Sequence, residues 1–98
     1  MTITKQSSGN ELKVSVAGRL DTTTAPELES GLKESLDGIE NLVLDFKDLE
    51  YISSAGLRVL LATQKIMNKQ GTMTVSSVND VVMEIFEVTG FSEILNII

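Results

Sequence analysis

Ser53 and Ser54 are the residues best placed to take part in chemistry, because each is a hydroxyl beside two small residues, Ala55 and Gly56. The stretch EYISSAGLRVLL, residues 50–61, runs from an apolar pair into apolar residues at helical spacing. One serine is expected to cap that helix, since a side-chain oxygen there accepts a hydrogen bond from an otherwise unpaired N–H. The alternative is that a hydroxyl at this turn is accessible to a partner or an enzyme, and a phosphate placed on it would be favoured by the positive end of the helix dipole.

Catalysis by this serine turn is disfavoured by the rest of the composition. A serine hydrolase needs a base to take the hydroxyl proton, and the chain contains no histidine and no cysteine. The G-x-S-x-G pattern of a nucleophile elbow is also missing. Asp45 ends a predicted strand, as the acceptor aspartate of a receiver domain does, but no acidic pair near the N-terminus accompanies it. We therefore expect no catalytic residue, no metal site and no cofactor.

Length and charge restrict the remaining possibilities. A chain of 98 residues with 42% apolar and 22% charged residues fits one globular domain spanning residues 1–98. The net charge of −6 disfavours direct binding of nucleic acid, because 8 basic residues against 14 acidic ones do not neutralise a row of phosphates. No apolar run reaches the roughly 18 residues of a membrane span, and the N-terminus lacks a signal-peptide core. The expectation is a cytoplasmic protein without membrane insertion.

The hydrophobic pattern switches several times between the two-residue period of strands and the 3.6-residue period of helices. Strands are predicted within MTITKQ, ELKVSVAG, NLVLDF, TMTVSS and EILNII, the last as a short strand or tail. Helices are predicted between Thr24 and Gly38, from Ser53 or Ser54 to Gln70, and from Asn79 or Asp80 to Gly90. The order β-β-α-β-α-β-α-β predicts an α/β fold with a mixed, mostly parallel sheet of about five strands and helices packed on it.

Local patterns add detail to three of these segments. The segment SSGN, residues 7–10, is predicted to be a hairpin turn. Thr24 and Glu27 have the spacing of a capping box at the start of the first helix. The dense apolar run NLVLDF, residues 41–46, predicts a strand covered on both faces. The first helix is expected to bury one apolar stripe, formed by Leu28, Leu32 and Leu36.

Three stretches together resemble the STAS family, and within it the bacterial anti-sigma factor antagonists. They are GRLDTTTAPEL (residues 18–28), LVLDFKDLEYISSAGLRVLL (42–61) and VMEIFEVTGFSEIL (82–95). The resemblance extends over nearly the whole chain. It implies a small STAS domain that binds an anti-sigma factor with serine kinase activity and so releases a sigma factor. It also implies that the kinase phosphorylates a serine to end this binding, and that a serine phosphatase restores the active form.

Carried over by position, the resemblance implies that Ser54 is the phosphoacceptor, because Gly56 is the motif glycine and the acceptor lies two residues before it. Ser53 stands where many members have aspartate, so a carboxylate that affects partner contacts in those members is missing here. Ala55 replaces a serine or threonine found in some relatives, which removes a competing acceptor. Ser53, Ala55 and Gly56 are predicted to contact the partner.

The same resemblance adds residues on either side of the turn to the predicted partner-binding set. Asp21 matches the family's aspartate ahead of the first helix, in a loop that the resemblance places beside the phosphorylation turn. The sequence alone equally allows Asp21 to cap a turn beside Thr22 and Thr23. Leu57 and Arg58 extend the set onto the helix. Arg58 is either a solvated charge or a ligand for a phosphate one helical turn away.

An alternative function lies within the same family. STAS domains also occur as regulatory tails of anion transporters, in stressosome-like assemblies and as subunits of lipid-transport complexes. The chain shows no membrane segment or appended sensor domain, which favours the free-standing antagonist. A STAS subunit of a lipid-transport or other regulatory complex is the alternative.

Overall fold

The computed structural model describes all 98 residues. Strands β1 (Thr2–Ser8) and β2 (Glu11–Leu20) form an antiparallel hairpin around the turn at Gly9 and Asn10. Gly9 has a φ of 60°, a backbone conformation that glycine adopts without steric cost. The turn predicted within SSGN is confirmed.

The remaining elements build the parallel part of the sheet. They are α1 (Ala25–Ser35), β3 (Asn41–Asp45), β4 (Leu49–Ile52), α2 (Ser54–Gln70), β5 (Thr72–Ser76), α3 (Asp80–Thr89) and a 3₁₀ turn at Phe91–Glu93. β3 lies between β2 and β5 and is parallel to both, which gives the order β1-β2-β3-β5. β4 pairs in parallel with β2 beyond the end of β3. The predicted α/β class, with a mixed, mostly parallel sheet of five strands and packed helices, is confirmed.

Two strands differ in detail from the sequence prediction. β4 lies in a segment that the sequence predicts only to connect a strand to the second helix. Its four residues are too short for a clear alternating pattern, and its pairing with β2 is what makes it a strand. The predicted C-terminal strand is reduced to one bridge between Val75 and Ile97, because the 3₁₀ turn at Phe91–Glu93 takes up the preceding residues.

The sheet has one buried face. Leu42 and Leu44 of β3 are fully buried, whereas Val43 and Asp45, which point the other way, are partly exposed. The prediction that this strand is covered on both faces is therefore wrong. The helices pack on one face of the sheet only. Because Val43 on the opposite face is also apolar, the sequence does not show the alternation of buried and exposed residues in this strand.

The core lies between the buried sheet face and the helices. The predicted stripe of α1 is confirmed, since Leu28, Leu32 and Leu36 are at most 5% exposed. Helix α2 contributes Leu57, Leu60 and Met67, and α3 contributes Val82 and Phe86. Full burial of such side chains contributes about 1.5–3 kcal/mol each. None of the helices is both long enough and apolar enough to cross a membrane.

The ends of α2 and α3 are held by local contacts. Helix α2 stops at Gly71, where a Cβ would collide with the carbonyl oxygen of Glu40. Asn79 caps α3, since its Oδ1 accepts a hydrogen bond from the Val82 N–H at 2.9 Å. Its Nδ2 donates to the Leu49 carbonyl at 2.6 Å, which ties the start of α3 to β4. The end of α2 and the start of α3 are therefore both fixed relative to the sheet.

Candidate functional site

The two adjacent serines have different structural roles. Ser53 is the N-cap of α2, and its Oγ accepts a hydrogen bond from the Gly56 N–H at 3.5 Å. Its carbonyl accepts from the Leu57 N–H at 2.9 Å, which begins the helical hydrogen-bonding pattern. Ser54 is the first residue of α2, it is exposed, and its hydroxyl makes no hydrogen bond within the chain. The structure thus shows that Ser53 caps the helix and that the Ser54 hydroxyl has no hydrogen-bond partner in the chain.

Gly56 brings the start of α2 close to the sheet. A Cβ at this position would lie 2.7 Å from Leu20 Cγ and 2.8 Å from Ile52 Cγ1. Both of these side chains are buried, at 0% and 1% exposure, so neither moves aside easily. Only glycine fits, because the helix packs directly on β2 and β4 at this point. This close packing fixes the position of Ser54 two residues earlier.

The loop after β2 is organised by Asp21. Its Oδ1 accepts hydrogen bonds from the N–H groups of Thr23 at 3.0 Å and Thr24 at 3.1 Å. These bonds stabilise the carboxylate, and the bond from the Thr24 N–H is the main cause that holds the pKa of Asp21 below its ordinary value. Asp21 is partly exposed, and Thr22 and Thr23 are exposed. The turn-capping role that the sequence allowed for Asp21 is confirmed.

The capping box predicted for Thr24 and Glu27 does not form. The Thr24 hydroxyl instead accepts from the Asp21 N–H at 2.9 Å and donates to the Arg19 carbonyl at 2.8 Å. Its side chain is thus used to hold the loop together rather than to cap α1. The spacing in the sequence matched a capping box, but the hydrogen-bonding groups of the preceding loop compete for the same hydroxyl.

The Asp21 loop and the serine turn lie next to each other. Leu20 pairs with Ile52 in the parallel ladder of β2 and β4, and the Ser53 N–H donates to the Leu20 carbonyl at 2.8 Å. Because carboxyl ends of parallel strands meet at one edge of a sheet, the residues that follow them share that edge. One edge therefore presents the Asp21 loop together with the exposed hydroxyl of Ser54.

The structure divides the other predicted contact residues into two groups. Arg58 is exposed and forms no ion pair, while Ser53 and Ala55 are partly exposed. Gly56 and Leu57, however, are buried in the domain. Gly56 packs on β2 and β4 and Leu57 belongs to the core, so both position the start of α2. That they contact the partner remains a prediction.

One pair near this edge was not found from the sequence. The Arg19 guanidinium lies over the Tyr51 ring, 4.5 Å from its centroid. The two residues are neighbours in the β2–β4 ladder. Arg19 also lowers the pKa of Asp21 by charge attraction, although less than the hydrogen bonds from Thr23 and Thr24 do. The sequence carries no signal for the pair, because the long-range pairing of β4 with β2 brings the two residues together.

The domain matches a known family over almost its whole length. A family model described as "Mlab, STAS domain" matches residues 3–96. The chain belongs to the STAS domain family. This STAS domain is 30% identical over 89 residues to the anti-sigma-B factor antagonist of Bacillus subtilis, an alignment that includes 90% of this chain and 82% of the relative.

Solved structures agree with this assignment. An anti-sigma factor antagonist from Mycobacterium paratuberculosis superimposes with a TM-score of 0.88 at 27% identity, over 98% of this STAS domain and 83% of that chain. The unphosphorylated form of the anti-sigma factor antagonist SpoIIAA superimposes with a TM-score of 0.77 at 10% identity, over 99% of this chain and 87% of that one. At that identity the second likeness shows the fold alone.

Proposed function

We propose that this STAS domain is an anti-sigma factor antagonist controlled by phosphorylation of Ser54. In its unphosphorylated form it binds an anti-sigma factor that has serine kinase activity, and a sigma factor is thereby released. The partner phosphorylates Ser54 and binding ends, and a serine phosphatase reverses the modification. The names of the similar proteins from Bacillus subtilis and Mycobacterium paratuberculosis support the antagonist function.

The observation that carries the proposal is the free hydroxyl of Ser54. It lies on the first residue of α2, exposed and without a hydrogen bond in the chain. A kinase can reach such a hydroxyl without unfolding the domain. A hydroxyl buried in the core would not support this mechanism.

The same position explains how phosphate would end binding while the fold is retained. The first N–H groups of α2 have no partners in the helix, and they favour an anion nearby. A docked partner, in contrast, would have to desolvate about two additional negative charges at the contact. Phosphorylation of Ser54 therefore costs little in the free domain and much in the complex.

The neighbouring residues have supporting roles in this proposal. Asp21, Thr22 and Thr23 contribute to the partner contact, because their loop shares the sheet edge with Ser54. Ser53 caps the helix where many family members have aspartate, so the turn carries no carboxylate beside the acceptor. The domain itself is a ligand and a kinase substrate, and we assign it no catalytic residue, cofactor or metal.

The test is binding of Ser54 variants to the purified cognate anti-sigma factor, measured by titration calorimetry. Ser54→Ala is expected to bind like the unmodified domain, also after incubation with ATP, whereas Ser54→Asp binds at least about tenfold more weakly. Ser30→Asp is the matched control, because Ser30 is an exposed serine of α1 away from this edge. Equal affinity of Ser54→Asp and the control contradicts the switch.

A STAS subunit of a lipid-transport complex is the second candidate, because the family match covers residues 3–96 and STAS domains also occur in such complexes. Affinity purification from the native cell separates the two candidates. Recovery of a small ATP-binding kinase supports the antagonist, and recovery of a transporter ATPase supports the second candidate.

A further inference from the structure

Helix α2 carries three cations and no carboxylate on its solvent face. Arg58, Lys65 and Lys69 are exposed, and they are the only charged residues among residues 54–70. Their separations of seven and four residues place all three on one side of the helix. At 1.5 Å of rise per residue, this basic stripe (Arg58, Lys65 and Lys69) extends for about 16 Å.

The basic stripe stands out against the charge of the domain. The chain has a net charge of −6 and α2 has a net charge of +3, so the remaining residues together have a net charge of −9. None of the three cations forms an ion pair, although Lys5, Lys13 and Lys33 elsewhere in the chain do. In an acidic protein, three neighbouring cations have thus been left without intramolecular partners.

Helix stability does not account for the whole stripe. Lys69 lies in the last turn of α2, where a cation interacts favourably with the helix dipole. Arg58 lies in the second turn, near the positive end, where the dipole gives it no such benefit. Helix α1 shows the common arrangement of mixed signs, with Lys33 lying 3.9 Å from Glu29 one turn away. The exposed face of α2 lacks any such pair.

We propose that the basic stripe docks on an acidic surface of the anti-sigma factor. This inference rests on the proposed function and adds the chemistry of the partner's surface. Complementary charge raises the rate of encounter and orients the two proteins. The stripe adds Lys65 and Lys69 to the contact surface that begins at Ser54.

Other polyanions fit the charge distribution less well. Three cations can neutralise only a few phosphates, and a DNA duplex or an anionic membrane would also approach the acidic remainder of the domain. A second copy offers the acidic residues Asp80, Glu84 and Glu87 of α3, but two chains of −6 repel one another. A separate acidic protein surface of limited extent matches the stripe best.

The position of Ser54 connects the stripe to regulation. Ser54 lies four residues before Arg58 and therefore on the same side of the helix. A phosphate there adds about two negative charges at the N-terminal end of the stripe and offsets most of its positive charge. The modification then weakens the electrostatic attraction as well as the local contact.

The test is stopped-flow association with the purified cognate anti-sigma factor, using a variant that leaves Ser54 and Arg58 intact. Lys65→Glu/Lys69→Glu is compared with Lys33→Glu/Lys47→Glu, which changes the net charge equally. Lys47 lines a shallow depression on the sheet face opposite the core, and Lys33 is exposed on α1. At about 20 mM salt, the stripe variant is expected to associate about tenfold more slowly than the control variant. At about 0.5 M salt, this difference should disappear.

A milder variant shows whether slower association results from a folding defect rather than from the lost charges. Lys65→Gln/Lys69→Gln removes the charges without reversing them, and circular dichroism reports whether the helix is retained. It should slow association by about threefold at low salt. If both stripe variants are folded and associate as fast as the control variant, the inference is wrong and the proposed function stands. If the unmodified domain does not bind the anti-sigma factor at any salt concentration, both fail.

Three further measurements test whether the stripe binds DNA, an anionic membrane or a second copy of the chain instead. The unmodified domain is tested for binding to a 20-base-pair duplex, chosen as about two helical turns, and to vesicles containing phosphatidylglycerol. Light scattering measures its oligomeric state. If the unmodified domain binds either probe or self-associates, and Lys65→Glu/Lys69→Glu does not, the stripe binds that partner and the inference is overturned. A monomer that binds neither probe supports it.

Discussion

The main-chain N–H of Ser53 donates a hydrogen bond to the carbonyl oxygen of Leu20 across 2.8 Å. Leu20 is the last residue of β2, and Ser53 caps α2, so this bond joins the Asp21 loop to the start of the helix. Both groups belong to the backbone, and the pairing of β4 with β2 sets their distance. The arrangement of the candidate site therefore depends on the short strand β4.

Phosphorylation of Ser54 should leave the free domain folded. The added anion lies at the unpaired N–H groups of α2, and there is no acidic residue in the first turn to repel it. The free energy of unfolding is expected to stay the same or to rise by up to about 1 kcal/mol. Urea unfolding of the phosphorylated and unphosphorylated domain checks this, with Ser54→Ala as the unmodifiable control. A clear loss of stability on phosphorylation would show that the turn does not tolerate the anion.

Replacement of Gly56 by alanine should destabilise the domain by about 1–2 kcal/mol, since overpacking outweighs the gain in helix propensity. The new methyl group would lie under 3 Å from the side chains of Leu20 and Ile52. Gly31→Ala is the matched control, because a Cβ there meets only the end of the Lys5 side chain, at 3.6 Å. That control should gain about 0.5–1 kcal/mol. Thermal unfolding of both variants measures these changes. A Gly56→Ala domain as stable as the unmodified one would show that α2 does not pack closely on Leu20 and Ile52.

The Thr24 hydroxyl should matter more for stability than the hydroxyl of its neighbour Thr23. Thr24→Val removes the hydrogen bonds with the Asp21 N–H and the Arg19 carbonyl, at a cost of about 1 kcal/mol. Thr23 is exposed and its hydroxyl makes no hydrogen bond, so Thr23→Val should change the free energy of unfolding by less than about 0.5 kcal/mol. The comparison uses urea unfolding of the two variants. Equal effects would mean that the loop is not held by Thr24.

Asp21 should contribute to stability in a pH-dependent way. Its pKa is lowered in the folded domain from an ordinary value of 3.8, chiefly by the hydrogen bond from the Thr24 N–H. The folded state then binds fewer protons than the unfolded state, so the contribution is present above the unfolded pKa. It is lost as the pH falls through the folded pKa.

Asp21→Asn removes this titration and keeps an oxygen that can accept the same hydrogen bonds. The difference in unfolding free energy between the unmodified domain and Asp21→Asn should therefore be constant near neutral pH and shrink below about pH 4. Urea unfolding at a series of pH values measures it. A difference that does not change across the acidic range would show that the carboxylate is not stabilised by its loop.

Parts of the fold could be predicted from the sequence because their signals are local. The bounds of α2 follow from Ser53 at its start and Gly71 after its end, and the buried side of α1 follows from its regularly spaced leucines. The sequence predicts that one of the two adjacent serines caps α2, and the structure shows that this serine is Ser53. Local hydrogen bonding and hydrophobic periodicity need no knowledge of distant residues.

Other features could not be predicted because they depend on contacts between distant segments. β4 is a strand because it pairs with β2, which lies about 30 residues earlier in the chain. Thr24 could cap a helix or hold a loop, and the preceding backbone decides between these roles. Leu57 carries a family motif position, yet its burial shows that it packs in the core.

The sequence by itself determined that this is a small α/β domain with two serines at a helix start and an aspartate able to cap the turn ahead of another helix. It also determined a strongly acidic chain with a helix that bears only cations. Only the tertiary structure decided that the Asp21 loop and Ser54 share one edge, and that Arg58, Lys65 and Lys69 lack ion-pair partners. The physical reason is that hydrogen-bond propensity and side-chain period act over a few residues, whereas strand pairing and surface charge arise when distant segments meet.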